Sequence, residues 1–126
     1  MKEIYENVVY CIEDKGIYLD THLSLGKFSR LLYTNTTYLS KVINTFWGCN
    51  LKTLLNRYRV EYAKKLLVED KCDFHTLPTR SGFASKSTFY TAFMKYEGVK
   101  PADYRYSHMK DEIRRRIDAE LAKLSF

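Results

Sequence analysis

The strongest constraint on this chain is a pattern written twice, fifty residues apart. In TNTTYLSKVINTFWG, Asn35 can cap a helix, Leu39, Val42, Ile43 and Phe46 recur at i, i+3, i+4 and i+7, and Gly48 closes the run. In ASKSTFYTAFMKYEG, Ser85, then Phe89, Ala92, Phe93 and Tyr96, then Gly98 keep the same order and spacing. A side-chain oxygen at the cap satisfies a free N–H of the first turn, and the spacing builds one buried stripe. Glycine accepts the left-handed conformation that ends a helix. Each helix follows a shorter one and a tight turn. Ser24 caps a stretch through Leu25, Phe28, Leu31 and Leu32 that breaks at YTN, and a second short helix is expected over about 74–81, turning at Gly82.

Between the two copies runs one long helix, about 50–69. Leu51, Leu54, Leu55, Tyr58, Tyr62, Ala63, Leu66 and Leu67 form a wide apolar arc, with Arg57, Glu61 and Lys64 pairing on the opposite side. DKCD is a polar break. Ahead of the repeat, Ile4, Val8, Val9 and Ile12 predict a first helix over 3–14 that ends at Gly16, followed by the connector DKGIYLD. Behind it, Pro101 suits the first turn of another helix, and Ile113, Ile117, Leu121 and Leu124 predict an amphipathic helix over about 108–124. No segment alternates like a strand. The expected fold is all-α: two helix-turn-helix units on a long linker helix, homeodomain-like, with flanking N- and C-terminal helices. The boundaries are 1–22 for the N-terminal helix and connector and 23–105 for the tandem domain. Within it the first unit spans 23–49, the linker helix 50–69 and the second unit 73–105, and 106–126 form the C-terminal helix.

Charge narrows the class of partner. The chain of 126 residues carries a net +6, and residues 22–105 hold 14 basic against 6 acidic residues, so the excess belongs to the repeat. A basic middle segment favours an acidic partner, nucleic acid first, although a merely solvated surface has the same composition. Cys11, Cys49 and Cys72 are odd in number and widely spaced, which argues against a disulfide framework or a zinc site and fits a reducing compartment. His22, His75 and His108 adjoin no paired ligand or nucleophile. With no glycine-rich phosphate loop, metal cluster or triad-like set, neither enzyme chemistry nor a cofactor is expected. The N-terminus does not read as a signal peptide, and no apolar run approaches a membrane span, so a cytoplasmic protein is expected.

Residues 23–105 resemble the AraC-type tandem helix-turn-helix domain of bacterial transcription regulators. The likeness runs through LSLGKFSRLLYTNTTYLSKVINTFWG, the linker LLNRYRVEYAKKLL and the tail SGFASKSTFYTAFMKYEGVKPADYR. The tail is the most specific part, with Gly-Phe, the spaced aromatics and Gly-Val-x-Pro-x-x-Tyr-Arg in the family's order. The resemblance implies sequence-specific binding to double-stranded DNA in two adjacent major grooves, and contact with RNA polymerase. Two residues depart from the family pattern. Tyr33 stands where the first turn usually has Gly, so a left-handed residue there would be strained. Pro78 stands where the second unit usually has a small Ala. A helix that began at Phe74 would lose a backbone bond at Pro78, so a later start with Pro78 in the first turn is cheaper.

With Leu39 at the centre of the buried face, Thr37, Lys41 and Asn44 point outward and Tyr38 flanks them. A recognition helix meets bases mainly through its N-terminal residues, so Thr37, Tyr38 and Lys41, then Asn44, are the expected base contacts. Lys can donate to guanine O6 and N7, Asn can pair with adenine, and a Thr methyl can meet thymine. In the second helix Ser87 and Thr91 point outward, with Lys86, Thr88 and Lys95 beside them. Neither helix contains Arg, so the second is expected to read more through hydroxyl-to-phosphate contacts and DNA shape. Arg57 and Lys64 fit surface pairs with Glu61 better than phosphate contacts. Arg59, at the edge of the apolar arc, should brace the linker helix through a partly buried hydrogen-bonded pair rather than touch DNA, with no partner named by the sequence, and Arg114, Arg115 and Arg116 fit a solvated face.

The reading is a DNA-binding transcription regulator that acts as a monomer on DNA or as a weak homodimer. Its rivals are a helical protein–protein adaptor and the DNA-binding output domain of a larger regulator. No second domain large enough to hold an effector is visible. The flanking helices could cover the core or form a dimer contact.

Overall fold

A computed structural model describes residues 1–69 and 72–124, and all regular structure among them is helical. Helix α1 spans Lys2–Val9 and runs on through a π-helical turn, Tyr10–Asp14, to Gly16, whose φ of 65° ends it. A 3-10 turn, Ile17–Leu19, leads to α2 (Leu25–Leu31), α3 (Thr36–Trp47) and the linker helix α4 (Leu51–Val68). Helices α5 (Leu77–Arg80), α6 (Lys86–Glu97) and α7 (Pro101–Lys123) complete the chain. The DKCD break falls partly on residues 70 and 71, outside the described residues.

The caps read from the sequence at Ser24, Asn35 and Ser85 are in place, and Asn50, which the sequence reading did not single out, adds a fourth. Ser24, Asn35, Asn50 and Ser85 accept hydrogen bonds from the backbone N–H of Lys27, Tyr38, Thr53 and Thr88, at 3.0, 2.8, 2.9 and 3.2 Å. Each such cap stabilises its helix by about 1 kcal/mol. Gly48 and Gly98 end α3 and α6 in the left-handed conformation. Helices α3 and α6 are therefore both twelve residues long and start and stop at matched positions.

The apolar stripes build two cores that share α4. Its N-terminal half places Leu51, Leu54 and Leu55 with Phe28, Leu32, Leu39 and Ile43, and α1 closes this core with Val8 and Ile12. Its C-terminal half places Val60, Ala63, Leu66 and Leu67 with Leu77, Phe83, Phe89 and Phe93. Removing one such fully buried side chain from water contributes about 1.5–3 kcal/mol. The N-terminal helix is thus part of the first unit's core.

Several expectations are corrected by packing. Phe46, placed in the buried stripe, is 43% exposed and instead stacks on Tyr5 at 4.2 Å between ring centres. It lies at the end of α3, where Tyr5 of α1 stacks on it and the Trp47 ring stands edge-on at 6.5 Å. Leu31 is likewise exposed, and Tyr96 is only half-buried against the second core. Arg57 makes no ion pair with Glu61 among the described residues. Lys64 does, at 3.1 Å, and also bridges to Glu97 at 3.1 Å, latching α4 to the end of α6. Pro101 and the amphipathic segment belong to one 23-residue helix, because no breaker separates them. Ile113, Ile117, Leu121 and Leu124 on that helix are exposed and cover no core.

The two turns explain both departures from the family pattern. The amide of Tyr33 bonds the carbonyl of Arg30, and that of Thr34 bonds Ser29; in the second unit Gly82 bonds Thr79 and Phe83 bonds Pro78. These are the paired bonds of one C-terminal motif, whose left-handed residue is Tyr33 in one unit and Gly82 in the other. The motifs are 49 residues apart, so the second turn is one residue longer than the first. Tyr33 does take a φ of 57°, at a cost of about 1–2 kcal/mol, and its side chain is 98% exposed. In α5 the helix starts at Leu77, three residues later than the expected 74, and Pro78 sits in the first turn, where its missing N–H has no helical partner to lose.

Candidate nucleic-acid interface

Each reading helix buries one stripe and leaves the opposite face bare. On α3, Thr37, Lys41 and Asn44 are exposed and Tyr38 is half-buried beside the cap. On α6, Lys86, Ser87, Thr88, Thr91 and Lys95 are all exposed. The nine residues therefore form two outward faces, one per unit, and not one cluster. Lys41, Lys86 and Lys95 form no ion pair among the described residues, so their charges are free for an anionic partner. Lys86 and Lys95 rest over the rings of Tyr90 and Tyr96, at 5.7 and 5.6 Å from the ring centres, which limits their search without neutralising them.

Thr88 is the least available of the nine. Its hydroxyl donates to the Ser85 carbonyl at 3.0 Å and lies 2.9 Å from the Ser85 hydroxyl. It is committed to the helix cap, and a ligand would compete with those bonds. Ser87 and Thr91 have no such commitment, and the equivalent positions Lys41 and Thr91 differ in chemistry.

Rigid support fixes how the two faces sit relative to each other. Arg59, at the middle of α4, donates from Nε to the carbonyl of Tyr18 at 2.6 Å and from a terminal nitrogen to that of Asp20 at 3.0 Å. Those carbonyls are the partners that sequence reasoning could not name, because the connector lies some forty residues away. Burial pushes the Arg59 guanidinium downward from its usual pKa, the nearby Asp20 opposes this, and the group stays charged. Its guanidinium also lies over Phe83 of the second unit, at 5.8 Å. Gly82 packs against the same strip of connector. One arginine thus joins the N-terminal connector, the linker helix and the second turn. Arg105 does the same for α7, donating to the carbonyls of Leu67 at 3.0 Å and Cys72 at 2.9 Å. On Lys64, partial burial works against the charge, but hydrogen bonds to Glu61 and Glu97 outweigh it and raise its pKa.

Two basic residues escaped sequence reasoning. Arg30 and Arg80 close α2 and α5, are exposed, and form no ion pair among the described residues. They lie fifty residues apart in the sequence, one more than the 49 that relates the ends of α2 and α5, so they sit near matching helix ends without being strictly equivalent. The three cysteines are free, and no group of His, Cys, Asp or Glu among the described residues could hold a metal. No helix among the described residues is long and apolar enough to cross a membrane.

Known proteins share this arrangement. A transcriptional regulator of Bacillus subtilis, YtdP, is 26% identical over 104 residues, which are 82% of this chain and 13% of that protein. The chain thus spans a small part of that relative's length. The C-terminal domain of AraT, a response regulator from Geobacillus stearothermophilus, superposes with a TM-score of 0.74 at 27% identity, over 85% of this chain and 86% of that one. The DNA-binding domain of AdpA, solved with a target DNA, has the same fold, with a TM-score of 0.75 at 19% identity over 86% of this chain and 95% of that one. The family model for a helix-turn-helix domain matches residues 28–107, and with it the chain belongs to the AraC-type helix-turn-helix family of DNA-binding transcription regulators.

Proposed function

We propose that α3 and α6 enter successive major grooves on one face of double-stranded DNA and that the chain regulates transcription from a site it reads in sequence. The observation that carries this is the pair of capped, ion-pair-free faces held on one linker helix. Helix α4, with 18 residues, is about 27 Å long, against about 34–36 Å for one turn of DNA. Thr37, Tyr38, Lys41 and Asn44 meet bases in the first groove. Ser87 and Thr91 do so in the second, where Lys86, Thr88 and Lys95 lean toward phosphates. The two faces are unlike and follow each other along one chain, so a single copy binds an asymmetric site with a direction. Binding is the whole of the chemistry, with no cofactor, and the family likeness adds contact with RNA polymerase in the cytoplasm as part of the proposal. The tandem domain as bounded above, 23–105, is the reading unit within it.

A second reading has its own support: the small share of the Bacillus relative that this chain spans fits an output domain within a longer regulator. DNA binding is the same in both.

The test is a site selected from a random DNA pool and then lengthened between its halves. Inserting about 5 base pairs turns one half-site to the far side of the duplex. Specific affinity should fall to that of a single half-site. Unchanged affinity would mean that only one helix reads DNA.

A further inference from the structure

Helix α7 turns its apolar stripe away from its own domain. It packs through Pro101, Tyr104, Arg105, His108 and Glu112, which are buried or half-buried. At about 100° per residue these share one side of the helix, and Tyr106, Ile113, Ile117, Leu121 and Leu124 lie on the other. Those five are 70, 53, 52, 43 and 64% exposed. From Ile113 to Leu124 every side chain is exposed, and among the described residues only a shallow groove with Val68 touches the start of this half, at Ile113 and Arg116. A free helix of such length is marginal in water, and large apolar residues along one side are then unexplained by its own stability.

We propose that this stripe is a self-association surface, on which two copies of the chain pair antiparallel along α7 about a two-fold axis beside Ile117. The charges beside the stripe select that arrangement. Arg114 and Asp118 lie on one flank, Glu120 and Arg116 on the other. In an antiparallel pair each flank meets its own copy. With Ile117 on the axis, Ile113 lies level with the partner's Leu121. Arg114 comes within about 3 Å, along the axis, of the partner's Asp118, and Arg116 equally close to the partner's Glu120. At the same offset of about 3 Å Asp118 and Arg116 also face their own copies, so opposite-sign flanking pairs outnumber like-sign ones by four to two. A parallel pair in register would reverse that balance, with Arg114 against Arg116 and Asp118 against Glu120, like against like, and only Asp118 against Arg116 opposite in sign. Arg114 and Asp118 form no ion pair among the described residues, so both are free for this contact. Tyr106 to Leu124 spans eighteen residues in five steps through Met109, Ile113, Ile117 and Leu121, an average equal to the helix's own repeat, so the stripe runs straight. A contact between two half-helices falls below the roughly 1,200 Å² of standard stable interfaces, which points to a weak, reversible dimer.

Sedimentation equilibrium of the 126-residue chain, from about 5 to 500 µM, tests this. The expected result is a reversible monomer–dimer equilibrium. Ile117→Glu, at an exposed site that leaves the circular dichroism unchanged, should raise the dissociation constant by about thirtyfold or more. Arg114→Asp should raise it by about fivefold, and adding Asp118→Arg should restore it to within about twofold, because the double variant re-forms both pairs with their signs exchanged. A chain that is monomeric at the highest concentration overturns the proposal, whether or not some other protein occupies the stripe. So does a dimer indifferent to Ile117→Glu, or a double variant no better than Arg114→Asp alone.

Discussion

Gly82 is where the N-terminal connector locks onto the second unit, and Gly82→Ala measures that lock. Its φ of 95° lies in the region that side chains avoid. A Cβ there would fall less than 3.0 Å from the Tyr18 carbonyl oxygen, and 3.0 Å from both Arg59 Nε and Leu19 Cα. Two of these are backbone atoms, so no side-chain rotation relieves the clash. The connector must retreat by about 1 Å, which carries the Tyr18 carbonyl away from Arg59 Nε, now 2.6 Å apart, and breaks that bond. Backbone strain contributes about 1–2 kcal/mol, and losing a charge-assisted hydrogen bond about 1.5–3 kcal/mol. The total is about 3–5 kcal/mol, or a fall in Tm of roughly 10–20 °C for a domain of this size. Gly98→Ala is the control: its φ is 72°, but nothing lies within 4 Å of the added methyl, so it should cost only the strain, about 1–2 kcal/mol. Urea and thermal melts followed by circular dichroism compare the two. Because Gly82→Ala already breaks the Arg59 bond, adding Arg59→Met should cost less than the sum of the single changes. Equal losses for Gly82→Ala and Gly98→Ala would refute the lock.

Other outcomes follow from the same geometry. Lys41→Ala should relax base preference at one position and cost about 1–3 kcal/mol on the best site, whereas Lys95→Ala should weaken all sequences alike, as binding titrations on matched and mismatched duplexes would show. DNA affinity should fall steeply with salt, with a log–log slope near −5 for roughly six phosphates neutralised; a slope near zero would contradict DNA binding. Since α5 already starts late around Pro78, Pro78→Ala should change stability by less than about 1 kcal/mol in a thermal melt, and a gain near 3 kcal/mol would show a strained helix instead. The Tyr58 hydroxyl donates to the Glu13 carboxylate at 2.8 Å; burial first, then that bond, push its pKa from 10.0 up to about 12. A raised folded pKa favours the protonated form, so its contribution is whole below pH 10 and fades as pH climbs toward about 12. The Tm gap between the protein and Tyr58→Phe should shrink over that window and stay constant from pH 7 to 9.

Most of the helical scaffold was legible because its signals are local. A cap such as Asn35 or Ser85 acts on an amide three residues on, a stripe repeats with the helix, and Gly48 or Gly98 ends the helix by its own φ. The repeat, the two outward faces and the delayed start at Pro78 all come from interactions within about four residues. The side chains of those faces follow from the same local rule, since whatever lies opposite a buried stripe is exposed.

What the linear chain withheld depends on which segments meet. Phe46 and Ile117 have the spacing of core residues, but burial needs a facing surface. Whether α1 reaches the end of α3, or any element reaches the far side of α7, is set by the path of the whole chain. Arg59 was placed at the edge of the apolar arc from its position on α4, yet its partners are carbonyls of a connector about forty residues earlier, and carbonyls look alike at every position. The one-residue difference between the two turns is a backbone hydrogen-bond pattern: α2 and α5 end 49 residues apart, whereas α3 and α6, whose stripes carry the visible repeat, start 50 apart. The sequence by itself determined the helices, their ends and their exposed faces, because those rest on short-range geometry. The tertiary structure decided which apolar residues are covered, which carbonyls Arg59 holds and how the two units are locked together, because each needs atoms brought close by distant parts of the chain.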